Sequence, residues 1–555
     1  MTRQDVRAAR EGEPLGVDAW RTTHLDGGER LQVVDTVATV LAGVYTHLPA
    51  KRAAYASDPV QALVLLRRRA VELSDAEFHL AVTGILAGLR DAHTRYLGPA
   101  ALRGHVAVLP FLVEEYGPPH DLHHLVSTVN AEATSAPVDP GFAAGVEVLE
   151  WNGVPIARAV QVHADRESGG RADSRRARAL ESLTFRALDY GPPPDEHWVI
   201  VGYRTEDGSF AEARFDWRVV EPGRAGTAVR AASRGALKVA VDPAAEAVRR
   251  AKKLQFVPGL WASDDAPAAP ARPADPVPVA GEWIETPMQD VVAARALDDE
   301  IGHLRLWSFD LDDDDAYLDE VTRLLGLLPT GGLVVDLRGN PGGLVWAAER
   351  ALQLFTDRPV VPTRFSLAAT PLTRQMAASP FNRMELEAWH DSLQDAVSTG
   401  ELYAQPLPLT DPAWCNDRGR AYPGPAVAVV DANTYSSGDL FAAGWVDNDI
   451  GPLVAVGAAT GGGGANVWTL TQLRDALVGT DVTLGPLPAG AGMTVAIRRA
   501  VRSGRGDGIP IEDLGVPGQP YTMTRDDLLH ANRDLLATCR SLLVGGPPSD
   551  TGEAP

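Results

Sequence analysis

From about Val33 to Leu97, apolar residues return at helical spacing in VVDTVATVLAGVYTHL, DPVQALVLLRRRAVEL and SDAEFHLAVTGILAGL. Asp58 ahead of Pro59 supplies one helix start, and Ser74 with Glu77 three residues on supplies another as a capping box. The spacing predicts a polar N-terminal segment over 1–32, then a helical region over 33–100 whose period stops at Gly98-Pro99. The pattern next shifts to short strand-like runs, HVAVLPFLV, GVEVLEWNG and HWVIVGYRTEDGSFAEARFDW, the last a hairpin turning at Asp207-Gly208. These predict a separate β-rich domain over 101–225. A connector over 226–290 follows, and its Ala- and Pro-rich part at 262–280 lacks the large apolar residues a core needs. Beyond Gly281, strand-length runs alternate with amphipathic helices: GHLRLWSF with DAYLDEVTRLLGLL, LVVDLR with LVWAAERALQLF, and AVAVVDA with GDLFAAGWVDN. That order is expected of an α/β core, assigned to 291–545, with RDDLLHANRDLLATC as a closing helix and a flexible tail over 546–555.

Charge narrows the partners. A formal net charge of -22 repels phosphate backbones, and no basic stripe with interleaved aromatics offsets it, so nucleic acid is not expected as a partner. Cys415 and Cys539 are read as free thiols, too few for a disulfide framework and not spaced as a CxxC pair. Neither a signal peptide nor a membrane-length apolar run is evident, which makes a cytoplasmic protein without a membrane partner the expectation. His120, His123 and His124 cluster without the partners of a zinc motif, and the acidic run DLDDDDAYLDE reads as a helix start instead of a calcium loop. No metal and no organic cofactor are expected.

Two segments carry candidate chemistry on their own residues. In AVAVVDANTYSSGDLFAAGW a buried strand ends in a polar turn, with Ser436 and Ser437 at the start of a helix. A hydroxyl there faces free backbone N–H groups and the positive end of the helix dipole, which favour negative charge on an attacked carbonyl oxygen; the plain alternative is a helix cap. In VVDLRGNPGGLVWAAE, Gly342 and Gly343 leave backbone N–H groups open to a ligand, and a tight turn is the plain alternative.

Together these segments resemble the tail-specific, or carboxyl-terminal processing, serine peptidases with a crotonase-like (ClpP/crotonase) core. The carriers are DLRGNPGG from Asp336 to Gly343 and SSGD from Ser436 to Asp439. The resemblance implies that Ser436 is the nucleophile and that Ser437, with Gly343 or Gly342, forms the oxyanion hole. Many members place a lysine base in a G-x-x-T-x-G-K-G segment, but GAATGGGG from Gly457 to Gly464 puts Gly463 at that position. A second branch, which includes tricorn protease and chlamydial protease-like activity factor, uses Ser-His-Glu. Its D-x-H and E-x-x-G-V segments have counterparts in DAH, with His93, and IEDLGVPG, with Glu512.

Chemically, imidazole takes the serine proton and returns it to the leaving amine, while a carboxylate on its other nitrogen stabilises imidazolium. Asp91 lies too near His93 in sequence to be the first choice for that carboxylate; Asp447 and Asp513 are possible substitutes. DPGFAAGVEVLEWNGVPI resembles part of a PDZ-like domain, with Trp151-Asn152-Gly153 at a turn. The implied activity is a serine endopeptidase acting on protein or peptide, and a homo-oligomer is reasonable. The alternative is an inactive relative that binds peptides or other ligands.

Overall fold

The computed structural model describes residues 8–16, 23–98, 104–130, 141–205, 207–223, 239–257, 280–381 and 384–545. The tail over 546–555 and almost all of the Ala- and Pro-rich stretch at 262–280 lie outside them.

Four helices open the chain: α1 (Gly27–Gly43), α2 (Leu48–Tyr55), α3 (Pro59–Arg69) and α4 (Asp75–Ala87). Asp58 caps α3, and Ser74 and Glu77 form the capping box of α4. α1 begins inside the segment read as polar, because Asp26 and Glu29 form a second capping box. Val33, Val37, Phe78 and Val82 are fully buried in one apolar cluster with Leu304, Val335 and Trp445. At about 1.5 to 3 kcal/mol for each large side chain buried, this shared core fixes the helices to the α/β layer. The short strand β1 (Arg95–Leu97) completes the attachment.

The β-rich domain has its own core, with Phe111, Phe142, Trp151 and Phe215 in ring contact. Its hairpin pairs Trp198–Arg204 with Phe210–Asp216, and Gly208 takes a φ of 87° in the turn. Asn152 and Gly153 take φ of 51° and 73° between the paired residues Trp151 and Val154, as a tight hairpin requires. The domain also carries helix α5 (Ala172–Ser182), which reaches toward the core.

Within the stretch read as a connector stand a strand, β2 (Val239–Val241), and a helix, α6 (Pro243–Phe256). The helix follows from an Asp242 cap, Pro at its first turn and the amphipathic run AAEAVRRAKKLQF.

In chain order the core then supplies β3 (Val292–Ala296), β4 (Ile301–Leu306), β5 (Gly332–Asp336), β6 (Gly342–Leu344), β7 (Arg364–Leu367), β8 (Leu407–Pro408), β9 (Ala426–Asp431), β10 (Leu453–Ala459), β11 (Ala465–Thr469), β12 (Gly492–Val501) and β13 (Pro517–Tyr521). One sheet has the order β3-β4-β5-β9-β10-β13, parallel from β4 to β10. A second has the order β8-β7-β12-β1, with β11 beside β12, so β1 delivers the end of the N-terminal region to the core. Helix α7 (Ser437–Asp447) follows β9. The single closing helix expected over 525–539 is instead two, Arg525–Leu529 and Arg533–Gly545, broken where Ala531 and Asn532 adopt positive φ.

Candidate active site

β9 is buried along most of its length, and the turn that leaves it brings the chain to Ser436 with φ 62° and ψ -120°. A non-glycine residue with positive φ is held there by its surroundings. The Ser436 N–H donates to Asp439 Oδ2 at 2.7 Å, and the same carboxylate accepts from the N–H groups of Gly462 and Gly463 at 3.0 and 2.9 Å and from the Thr460 hydroxyl. Asp439 therefore ties the strained turn to the glycine loop. Burial pushes its carboxyl up to about 6. Sequence reasoning had Asp439 only as the last letter of SSGD.

The side chain of Ser436 meets His93, with Oγ 2.7 Å from Nε2 and both residues fully buried. His93 sits between α4 and β1, and its backbone N–H donates to Asp91 Oδ1 at 2.8 Å. Its ring lies 5.0 Å from that of Tyr435. Burial pushes the imidazole down to about 4 against the opposing pull of Asp91 and Asp242, so it is neutral at pH 7 and able to accept a proton. Nδ1 has no hydrogen-bond partner, and Asp91 Oδ1 stands 3.8 Å from it.

Glu512 is buried in the same region, but among the described residues no hydrogen bond or ion pair joins it to His93. It accepts from the Gly464 N–H at 3.2 Å, lies 2.7 Å from Lys51 Nζ and 3.7 Å from His47 Nε2. His47 precedes α2 and Lys51 lies within it, and nothing in the sequence motifs points to them. The Lys51 ammonium, flanked by Glu512 and Asp513, is held above its ordinary range by these carboxylates. Even with that ammonium beside it, burial holds the Glu512 carboxyl well above its ordinary range. Of the other carboxylates considered, Asp513 pairs with Lys51, and Asp447 pairs with Arg502 away from His93.

His47, Asp91 and Glu512 each place a possible ligand atom within 4.8 Å of the others. This is the donor chemistry of a metal site, but the Lys51 ammonium already brings positive charge to Glu512.

Gly342 and Gly343 adopt φ of 97° and 149°, and a Cβ on Gly343 would stand 1.8 Å from the Phe309 carbonyl carbon. Only glycine fits. The Gly342 N–H donates to Asn340 Oδ1 at 2.9 Å, which takes it out of use as an oxyanion donor. Ser437 opens α7, so its N–H has no acceptor within the helix. A Cβ on Gly342 would lie 2.6 Å from Ser436 Cβ and 2.8 Å from Ser437 N, so the glycine turn and the serine turn are in contact.

The lysine position of the dyad enzymes is closed as well as empty of an amine. A Cβ on Gly463 would stand 2.1 Å from the Tyr435 ring.

Residues 300–509 match the family model for peptidase family S41, and residues 105–224 match that for a PDZ domain. The chain therefore carries an S41 peptidase domain behind a PDZ domain, and it is a serine-type peptidase. No curated protein matches the sequence. Among solved structures, mature CPAF superposes with a TM-score of 0.65 at 17% identity, covering 94% of this chain and 99% of that one. Mature CPAF complexed with lactacystin gives 0.64 at 18% identity, covering 93% and 98%. The likeness extends through the helical region, the PDZ domain and the core alike.

Proposed function

We propose that the protein is a serine endopeptidase that forms an acyl-enzyme on Ser436, with His93 as its general base and acid. The observation that carries this reading is the 2.7 Å contact between His93 Nε2 and Ser436 Oγ at a positive-φ turn. His93 takes the Ser436 proton as Oγ bonds to the substrate carbonyl carbon. The negative charge that develops on the carbonyl oxygen is met by the N–H groups of Ser437 and Gly343. Collapse of that intermediate breaks the C–N bond, the amine leaves with the proton from His93, and water then hydrolyses the ester by the same route.

Behind the imidazole, Asp91 is the nearer carboxylate, and Glu512 lies beside it in the same buried cluster, with its charge met by the Lys51 ammonium. Asp91 favours imidazolium as it forms, which is the work of the third member of a triad. Glu512 is the triad glutamate of this reading by its place in the motif.

The test is fluorophosphonate labelling, with the modified residue located by mass spectrometry. Labelling at Ser436 that survives Ser437→Ala and is lost in Ser436→Ala and His93→Ala supports the reading; folded native protein that never labels counts against it. Mature CPAF is complexed with lactacystin in one of the similar structures, so competition of lactacystin with the Ser436 labelling is a second measurement.

A further inference from the structure

A peptide strand already crosses the active site, and it belongs to the chain itself. β2 pairs antiparallel with β6, placing Ala240 opposite Gly343 and Val241 opposite Gly342. The Asp242 N–H donates to the Pro341 carbonyl at 2.9 Å, so in that register Ala240 and Gly343 are also a hydrogen-bonded pair. The Ala240 carbonyl oxygen accepts from the Ser437 hydroxyl at 3.1 Å. The site of a Cβ on Gly342 is 2.3 Å from that oxygen, 2.6 Å from Ser436 Cβ and 2.8 Å from Ser437 N, so these atoms converge on one point. A carbonyl oxygen beside the nucleophile and both oxyanion donors is where a substrate carbonyl belongs. Asn466 Nδ2 holds the Val239 carbonyl at 2.9 Å and steadies the same strand.

Two residues further on, the Asp242 side chain is fully buried. Its Oδ2 pairs with Arg178 Nη1 of α5, and its Oδ1 lies 3.8 Å from Arg95 Nη2. Arg178 is itself buried, with its guanidinium 4.5 Å over the Tyr435 ring, the ring that packs against His93. Arg178 and Arg95 also border a cavity of about 130 Å³ between the helical region, α5 and α6. A buried arginine whose charge is met by one carboxylate is a receptor for that carboxylate.

We propose that β2 marks the path of a substrate strand, and that Arg178, backed by Arg95, is a specificity subsite for an acidic residue two positions after the carbonyl beside Ser436. The proposal rests on the serine-peptidase reading and adds the substrate class: extended peptides with Asp or Glu at that position, which pair with β6 in place of β2.

Asp242 also caps α6 through Oδ1, accepting from Ala244 N and Ala245 N at 3.0 and 3.3 Å. Asn and Ser keep that cap and remove the charge, so full-length Asp242→Asn and Asp242→Ser isolate the ion pair. Fluorescence anisotropy then compares two labelled, amidated peptides, Val-Ala-Val-Asp-Pro-Ala and its Asn counterpart. The expected result is that either variant binds the Asp peptide about tenfold more tightly than the Asn peptide. Adding Arg178→Gln is expected to abolish the preference. Equal affinities, no binding of either peptide, or a preference that survives Arg178→Gln would overturn the proposal. Fluorophosphonate labelling of the same variants reports separately on Ser436: a charge preference without labelling keeps the subsite and sinks the serine mechanism.

Discussion

At the scale of single residues, charge decides how the site works. His93 is pushed down to about 4 by burial, and in the proposed mechanism only its neutral form accepts the Ser436 proton. The acid limb of kcat/KM is therefore expected near pH 4, well below the 6.5 of a free imidazole, with activity lost as pH falls through it. Asp91 is the strongest of the groups that raise His93, so Asp91→Asn should move that limb further toward acid while lowering kcat. Glu512→Gln should lower kcat with a smaller shift of the limb, and pH–rate profiles of the two variants separate the roles.

Lys51 supports the fold through a buried ion pair with Glu512. Lys51→Met leaves buried Glu512 without its counter-charge and should cost about 3 to 5 kcal/mol near neutral pH in denaturant melts. In that variant the Glu512 carboxyl, already held above its unfolded value by burial, is raised further. The penalty is thus present above the unfolded pKa and eases as pH falls and Glu512 protonates. The motifs made Ser436, His93 and Glu512 visible in the sequence, because each sits in a short segment of fixed spacing. Lys51, His47 and Asp439 were not visible in that way, since their importance comes from neighbours hundreds of residues off or from backbone N–H groups that carry no letter.

Among the elements, turns carry more of the site than strands or helices do. The glycines at 342 and 343 bring β6 against the serine turn, and no side chain fits there. Gly343→Ala should abolish Ser436 labelling, in a protein whose far-UV circular dichroism is otherwise close to native. Tyr435 fills the space beside Gly463, so a lysine side chain does not fit at that position. Gly463→Lys in a His93→Ala background should accordingly fail to restore labelling. The alternation of strands and helices in the core was legible from hydrophobic period, as were the caps at Asp58 and Ser74. The helix at Pro243–Phe256 was missed, although its Asp-Pro start and amphipathic run were present. The Ala- and Pro-rich composition beyond it drew the whole stretch into one connector.

In the whole molecule, Ser436 and His93 come from segments 343 residues apart in the chain. His93 reaches Ser436 only because the N-terminal helices share the core's apolar cluster and β1 joins β12, pairing Tyr96 with Met493. Composition and period divide the chain into a helical region, a β domain and a core, but they do not show that the first of these is part of the enzyme. Among the described residues no single helix is long and apolar enough to cross a membrane. The measurement that bears most directly on the central claim is the rate at which fluorophosphonate modifies Ser436 as a function of pH, in native protein and in His93→Ala. If His93 activates Ser436, the native rate falls away toward pH 4 and the variant is slower by about 10² or more with no such limb. Equal rates in the two proteins, or the same pH dependence in both, would contradict it.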